Sequence, residues 1–258
     1  MPIISTNAIV LSSLKFGDTS LIVKCFTQQE GLKSYLVRGV LKSKKGGLKV
    51  AYFQPLTQLK IVANHNTKGT LHTIKEIQVY NPYQTIYQDV VKQSITFFLS
   101  EVVSNVIQEE EANDALYEFL ETSFTWLDSH EKIANFHLVF LLNLTSFLGF
   151  FPDTSDTEKQ GFHLLDGFFT DPSYDKNVIS GNECVQFKKL LETNFENLES
   201  LTFTKSERQM VLQTLITYYK LHVDSFRNPK SLDVLEAVFR QDKFSFKSSI
   251  KKHFTIKK

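Results

Sequence analysis

Cysteine is almost missing. Two residues, Cys25 and Cys184, stand in a chain of 258, too few for a disulfide framework. Each has apolar neighbours, which predicts buried structural thiols in a reducing, cytosolic compartment. No apolar run reaches the ~20 residues of a membrane span. The most apolar window, Phe136 to Phe151, is broken by His137, Asn143, Thr145 and Ser146 and reads as the central helix of a soluble bundle, buried on almost every side. The opening MPIISTNAIV lacks a basic stretch followed by an apolar one, so no signal peptide is expected. Nucleotide loops of the forms GxGxxG and GxxxxGK[ST] are missing, as are GxSxG and HExxH, which leaves no phosphate cradle, nucleophile elbow or zincin helix. The seven histidines are scattered, and His137 within the apolar window reads as a satisfied core residue. Glu109, Glu110 and Glu111 are consecutive and do not share a helix face. Asp166 and Asp171 have nothing to fix their geometry. The residues therefore predict neither an enzyme nor a metal, cofactor or small-molecule substrate.

A strong net charge is also missing: the chain sums to +1. That total hides a division. Residues 1–80 hold eleven Lys/Arg against three Asp/Glu, a net +8; residues 81–200 reach −14; residues 201–258 return to +7. Asymmetry of this size points to modules with different partners, and a basic opening module suits a polyanion.

The first 80 residues contain five short runs rich in Val, Ile, Leu and Thr: IVLSSL, SLIVKCFT, LKSYLVRGV, LTQLKIVAN and LHTIKEIQV. Turn residues separate them, and no helical period intervenes, so they predict five strands. A small closed barrel accommodates them. The five-stranded OB-fold, which binds oligonucleotides on its face and loops, is one such barrel; an SH3-like barrel has a similar signature.

Asn81-Pro82 changes the period. From Tyr83 to Gln108 apolar residues recur at three- and four-residue steps, an amphipathic helix that Asn81 would cap. Ala112 to Leu127 and Lys132 to Leu148 repeat the pattern, with Gly149 and Pro152 as a stop. Residues 153–182, rich in Gly, Asp, Ser and Pro, read as an irregular insertion in which FHLL and GFF are possible short extended pieces. Helices resume at Glu183 to Thr193. Thr204 and Glu207 form a capping box for another through Tyr219, and Ser231 to Phe239 follows Pro229. The expectation is thus an α+β chain: an N-terminal five-stranded OB-fold β-barrel over 1–80, then an all-α domain over 81–258.

One segment gathers the charge. RGVLKSKKGG, Arg38 to Gly47, places four cations among three glycines. With Lys33 and Lys49 added, six cations fall within 17 positions. A glycine-rich, lysine-rich loop can follow a phosphate backbone without reading sequence. Phe16, Phe26, Tyr35, Tyr52 and Phe53 lie nearby, and bases stack on such rings; Tyr35 is the residue expected to face outward. The predicted DNA-binding set is Arg38, Lys42, Lys44, Lys45 and Lys49, helped by Lys15, Lys24, Lys33 and Tyr35.

The chain resembles the RecO family of bacterial DNA repair and recombination mediators. AIVLSSLKFGDTSLIVKCFTQQEGLKSYLVRGV (Ala8 to Val40) is similar to that family's opening, RGVLKSKKGG stands at its basic loop, and FQPLTQLKI (Phe53 to Ile61) matches the strand that follows. FLLNLTSFLGFFPD (Phe140 to Asp153) resembles the family's helix ending in "G..P", and YYKLHVDSFRNPKSLDVL (Tyr218 to Leu235) its C-terminal segment. The resemblance implies an OB barrel followed by a helical domain. It implies a cytoplasmic, nucleoid-associated protein that binds single- and double-stranded DNA and promotes strand annealing. It also implies action with RecR to load RecA recombinase onto DNA coated by single-stranded-DNA-binding protein (SSB), whose acidic, Phe-ended C-terminal tail would be held by the helical domain. Tyr218, Tyr219, Lys220, Arg227 and Lys230 offer the apolar and cationic groups for that tail. Many relatives place a four-cysteine zinc module after "G..P"; here the place is TSDTEKQGFHLLDGFF, without cysteine, so no zinc is expected. Two other readings of the residues stay open: an OB-containing RNA binder, and a protein–protein adaptor without DNA affinity.

Overall fold

The computed structural model describes residues 2–42, 49–66, 69–108 and 111–240. Five strands form first: β1 (Ile3–Phe16), β2 (Ser20–Thr27), β3 (Gly31–Val37), β4 (Gln58–Asn64) and β5 (Leu71–Asn81). They close into a barrel in the order β1-β2-β3-β5-β4. All pairs are antiparallel except β3 with β5. This is the OB-type barrel, and the alternating residues of each strand explain it. Ala8, Val10, Val23, Cys25, Tyr35, Val37, Leu59, Ile61 and Ala63 point inward and fill the lumen.

The outward side of the first two strands is not polar. Ile9, Leu11 and Phe26 leave the barrel and join the core of the helical domain. Leu11 follows Ile9 by alternation, and the bulge between Val10 and Ser12 sets Ser12 opposite Lys24 on the same outward side. Polar contacts stitch the same joint: Gln58 Nε2 donates to Glu121 O at 3.0 Å, Asn81 Nδ2 to Thr125 Oγ1 at 3.0 Å, and Tyr83 Oη to Leu56 O at 2.9 Å.

Six helices follow among the described residues: α1 (Val90–Val106), α2 (Asp114–Ser129), α3 (Phe136–Phe147), α4 (Gly181–Leu191), α5 (Lys205–His222) and α6 (Leu232–Arg240). The start of α1 lies later than the sequence pattern predicts. Asp89 is its cap, accepting from Val91 N and Lys92 N. Residues 84–86 instead give their backbone N–H groups to the carboxylate of Asp128, at 2.8–2.9 Å. Burial raises the Asp128 pKa, but these bonds outweigh it and the net shift is downward. The Thr204–Glu207 capping box is present at α5. The apolar window forms α3, with nine of its twelve residues buried, and no helix among the described residues is long and apolar enough to cross a membrane.

Residues 153–182 are more ordered than an irregular insertion. They hold β6 (Gly161–His163), β7 (Phe168–Thr170) and β8 (Val178–Ser180), an antiparallel sheet in the order β7-β6-β8. Phe162 and Phe169 anchor it in the helical core. Three-residue strands are too short to reveal a period of two, so the sequence shows them only as isolated apolar pieces.

Candidate nucleic-acid interface

The basic segment starts where β3 ends, at one rim of the barrel. Gly17, at φ +60°, lets β1 turn sharply into β2. Gly39, at φ +71°, turns the chain after Arg38. Leu41 N–H then donates to Thr19 O at 2.9 Å, which fastens the segment after β3 to the β1–β2 turn. Lys15, Arg38 and Lys42 are exposed around this junction. The far side of the segment is also anchored. Lys49, exposed, precedes a short 3-10 helix (Val50–Phe53) whose Phe53 is buried in the barrel core. Leu41 and Tyr52 pack against the same core. Apolar pins thus fasten the described residues on either side, beside Lys42 and after Lys49, to the barrel core. Lys44 and Lys45 lie outside the described residues.

Three members of the expected set are elsewhere. Tyr35 does not face outward. It is fully buried at 0 % exposure, and its Oη lies 3.2 Å from His65 Nε2. The alternation along β3 is as expected, but its faces are reversed, because the lumen takes the large ring while Leu32 on the other side packs against the helices. The exposed ring at the rim is Phe16, 52 % accessible, while Phe26 and Phe53 are buried. Lys24 does not reach the rim either. Its Nζ donates to Ser104 O at 2.7 Å, a carbonyl in the last turn of α1 that has no partner within the helix. Burial holds this amine below the ordinary lysine range. Lys33 is half-buried and faces Cys25 across the β2–β3 ladder. It is close enough to His65 to oppose that ring's protonation, and five residues of extended strand, ~16 Å, separate it from Arg38.

The second expected site changes more. Tyr218 and Tyr219 are buried. Their hydroxyls donate to Phe150 O at 2.9 Å and Leu141 O at 2.7 Å. Burial pushes Tyr218 up to about 12 and Tyr219 well above the ordinary phenol range. Neither ring can wall an open peptide pocket, because both complete the core between α3 and α5. Their burial follows from the three- and four-residue period of α5, which places them with Leu215 and Ile216. Lys220, Arg227 and Lys230 remain exposed. The loop bearing the last two is tied to α1: Asn105 Nδ2 donates to Arg227 O at 3.3 Å, and the Glu101 carboxylate accepts from Ser231 N and Oγ at 3.0 and 2.8 Å.

The place of the zinc module does not fit a four-thiolate ion site. The β7-β6-β8 sheet carries no thiol, and Cys184 is alone and buried on α4. His163 holds the connections of this sheet instead: its Nδ1 accepts from Asp166 N–H at 3.1 Å, and its Nε2 lies 3.6 Å from Asp175 Oδ2.

Comparison with known proteins agrees with this arrangement. The family described as "Recombination protein O N terminal" matches residues 1–83, and "Recombination protein O C terminal" matches residues 87–233. The chain is similar to a protein named DNA repair protein RecO in Flavobacterium psychrophilum, 48 % identical over 236 residues that cover 92 % of this chain and 99 % of that one. The protein of the same name in Flavobacterium johnsoniae is 49 % identical over the same shares. That of Bacteroides fragilis is 37 % identical over 238 residues, 91 % of this chain and 98 % of the relative.

Proposed function

The chain belongs to the RecO family, and from that premise we propose that it serves DNA repair as a recombination mediator. It binds single- and double-stranded DNA, promotes annealing, and with RecR helps load RecA on SSB-coated strands in the cytoplasm. The division of labour we assign is a nucleic-acid-binding barrel over 1–80 and a helical domain over 81–258. The observation that supports this reading is the exposure of Lys15, Arg38 and Lys42 around one junction, where Leu41 N–H binds Thr19 O, with Lys49 exposed ahead of the 3-10 helix.

The mechanism needs no bond-making step. The rim cations, with Lys44 and Lys45 of the same segment, neutralise phosphates and release counterions. Two complementary strands held in this way repel each other less, so pairing is faster. For about four to six phosphates on a single strand, log K falls with log salt at a slope of roughly −3 to −4. The SSB tail, acidic and ending in Phe, is assigned to the exposed cations Lys220, Arg227 and Lys230 of the helical domain, without the two buried tyrosines.

Fluorescence anisotropy of a labelled single strand at low and moderate salt tests the reading. Wild type is expected to bind with the steep slope, and Arg38→Glu/Lys42→Glu/Lys49→Glu to lose most affinity. A slope near zero, or binding indifferent to the triple change, would refute the phosphate track. Binding to RNA but not to DNA would refute the repair role.

A further inference from the structure

A cleft of about 440 Å³ opens at the seam of the two domains, where the end of β5 meets α2. Tyr80, Asn81, Glu121, Thr122 and Thr125 line it. The side-chain donors of this lining are all engaged within the fold. Both Nδ2 hydrogens of Asn81 are used, on Gln58 Oε1 at 2.9 Å and on Thr125 Oγ1 at 3.0 Å. The hydroxyls of Thr125 and Thr122 donate back into their own helix, to Glu121 O at 2.8 Å and Glu118 O at 2.7 Å. The Tyr80 hydroxyl donates to Glu121 Oε1. What these side chains leave over is acceptors: Asn81 Oδ1, the second carboxylate oxygen of Glu121 and the threonine lone pairs. No cation among the described residues pairs with Glu121, and burial alone raises its pKa. Lys60, opposite Gln78 on the neighbouring strand, does not line the cleft. Glu118 and Asp114 stand exposed one and two turns before Thr122, on the same face of α2.

We propose that this cleft receives the guanidinium of an arginine carried by a protein partner. A lining that only accepts selects a ligand that only donates, and a guanidinium has N–H groups and no acceptor. Its planar fork matches a carboxylate edge with oxygens beside it, and its flat face stacks on an aromatic ring, here Tyr80. The compact ammonium of lysine meets fewer of these groups at once. Charge excludes the other polymer assigned to this chain. Glu121, Glu118 and Asp114 repel a phosphate backbone and draw a basic protein segment. The inference therefore goes beyond the DNA-binding reading and does not rest on it. Tyr80 and Asn81 belong to the barrel, while Glu121, Thr122 and Thr125 belong to the helical domain. A partner seated here holds both domains at once.

The test titrates the isotope-labelled full chain with a blocked peptide, acetyl-Gly-Arg-Gly-amide, and follows backbone amide resonances. Its controls carry lysine, or citrulline, which keeps the shape of arginine without the charge. The arginine peptide is expected to move the amides of Tyr80, Asn81, Glu121, Thr122 and Thr125 to saturation, and the citrulline peptide to bind about tenfold more weakly. Glu121→Gln is expected to cost the arginine peptide about the same factor. Thr122→Arg, at an exposed position, fills the cleft from within and is expected to abolish its shifts; it decides the matter if Glu121→Gln does not fold. Both variants should leave single-strand DNA affinity within twofold. Shifts scattered over the acidic surface, equal binding of the citrulline peptide, or shifts that persist in both variants would overturn the cleft. A lysine peptide as tight as the arginine one would overturn the guanidinium. Loss of DNA binding in the wild type with these shifts intact would sink the DNA reading alone.

Discussion

His65 and His72 stack face to face, 4.3 Å between ring centroids and 16° from parallel, where β4 leaves the barrel and β5 enters it. Both rings are buried. His72 Nδ1 accepts the backbone N–H of Asn66 at 3.0 Å, so that nitrogen must stay unprotonated for the bond to exist. His65 sits between Tyr35 Oη and the Glu30 carboxylate, 3.2 and 3.8 Å away. Burial lowers the pKa of His65, Glu30 opposes the shift and Lys33 reinforces it.

The sign of the pH effect follows. A histidine with a depressed folded-state pKa contributes stability above its unfolded value of ~6.5, and loses it as the pH falls. Acidification from pH 7 to 5 is therefore expected to loosen the β4–β5 connection before the rest of the barrel. The protection factor of the Asn66 amide, followed by hydrogen exchange, should fall across that range while those of β2 and β3 hold. Uniform protection at both pH values would show that the stacked pair is no latch.

Lys24 belongs to the joint rather than to the cationic rim. Its bond to Ser104 O places a cation on the C-terminal turn of α1, where it also meets the negative end of the helix dipole. Lys24→Met is expected to lower stability by about 1 kcal/mol and to leave single-strand affinity within twofold. Denaturant melts and anisotropy read the two separately. A large affinity loss at unchanged stability would return Lys24 to the phosphate track.

His137 is fully buried in α3, edge-on to Phe98 and stacked near Phe239, and neither ring nitrogen has a partner among the described residues. It is a core histidine, as expected, but an unsatisfied one. Burial, helped by Arg208, lowers its pKa to about 3. Stability should thus decline below pH ~6.5 with a slope approaching about 1.4 kcal/mol per unit from this residue. His137→Leu is expected to remove that slope and to stabilise the protein at pH 7 by about 1 kcal/mol. An unchanged acid slope in the variant would place the acid sensitivity elsewhere.

Much of this architecture is written locally. The five strands show as β-branched runs between turn residues, and the start of α5 shows as Thr204 and Glu207. What stays hidden depends on distant partners. Asp128 arrives from some forty residues away to occupy the backbone of residues 84–86, which delays α1. Tyr35 faces inward because its ring fills the barrel lumen, while Leu32 on the other side of β3 packs against the helices. The cations are recognisable in the sequence, Lys15 among them, but the Leu41–Thr19 contact that fastens the segment after β3 to the β1–β2 turn is one that no local pattern encodes.

The barrel's outer wall also has a consequence for inheritance. Ile9, Leu11 and Phe26 are rooted in strands but buried among helices. The two halves of this chain therefore share side chains across the seam between them. Neither half can drift, be exchanged with a foreign counterpart, or be expressed by itself without baring a surface that the other was shaped to cover. A change in the helical residues packed on Ile9, Leu11 and Phe26 bears on the strands that carry the cationic rim, and selection acts on the pair as one heritable unit.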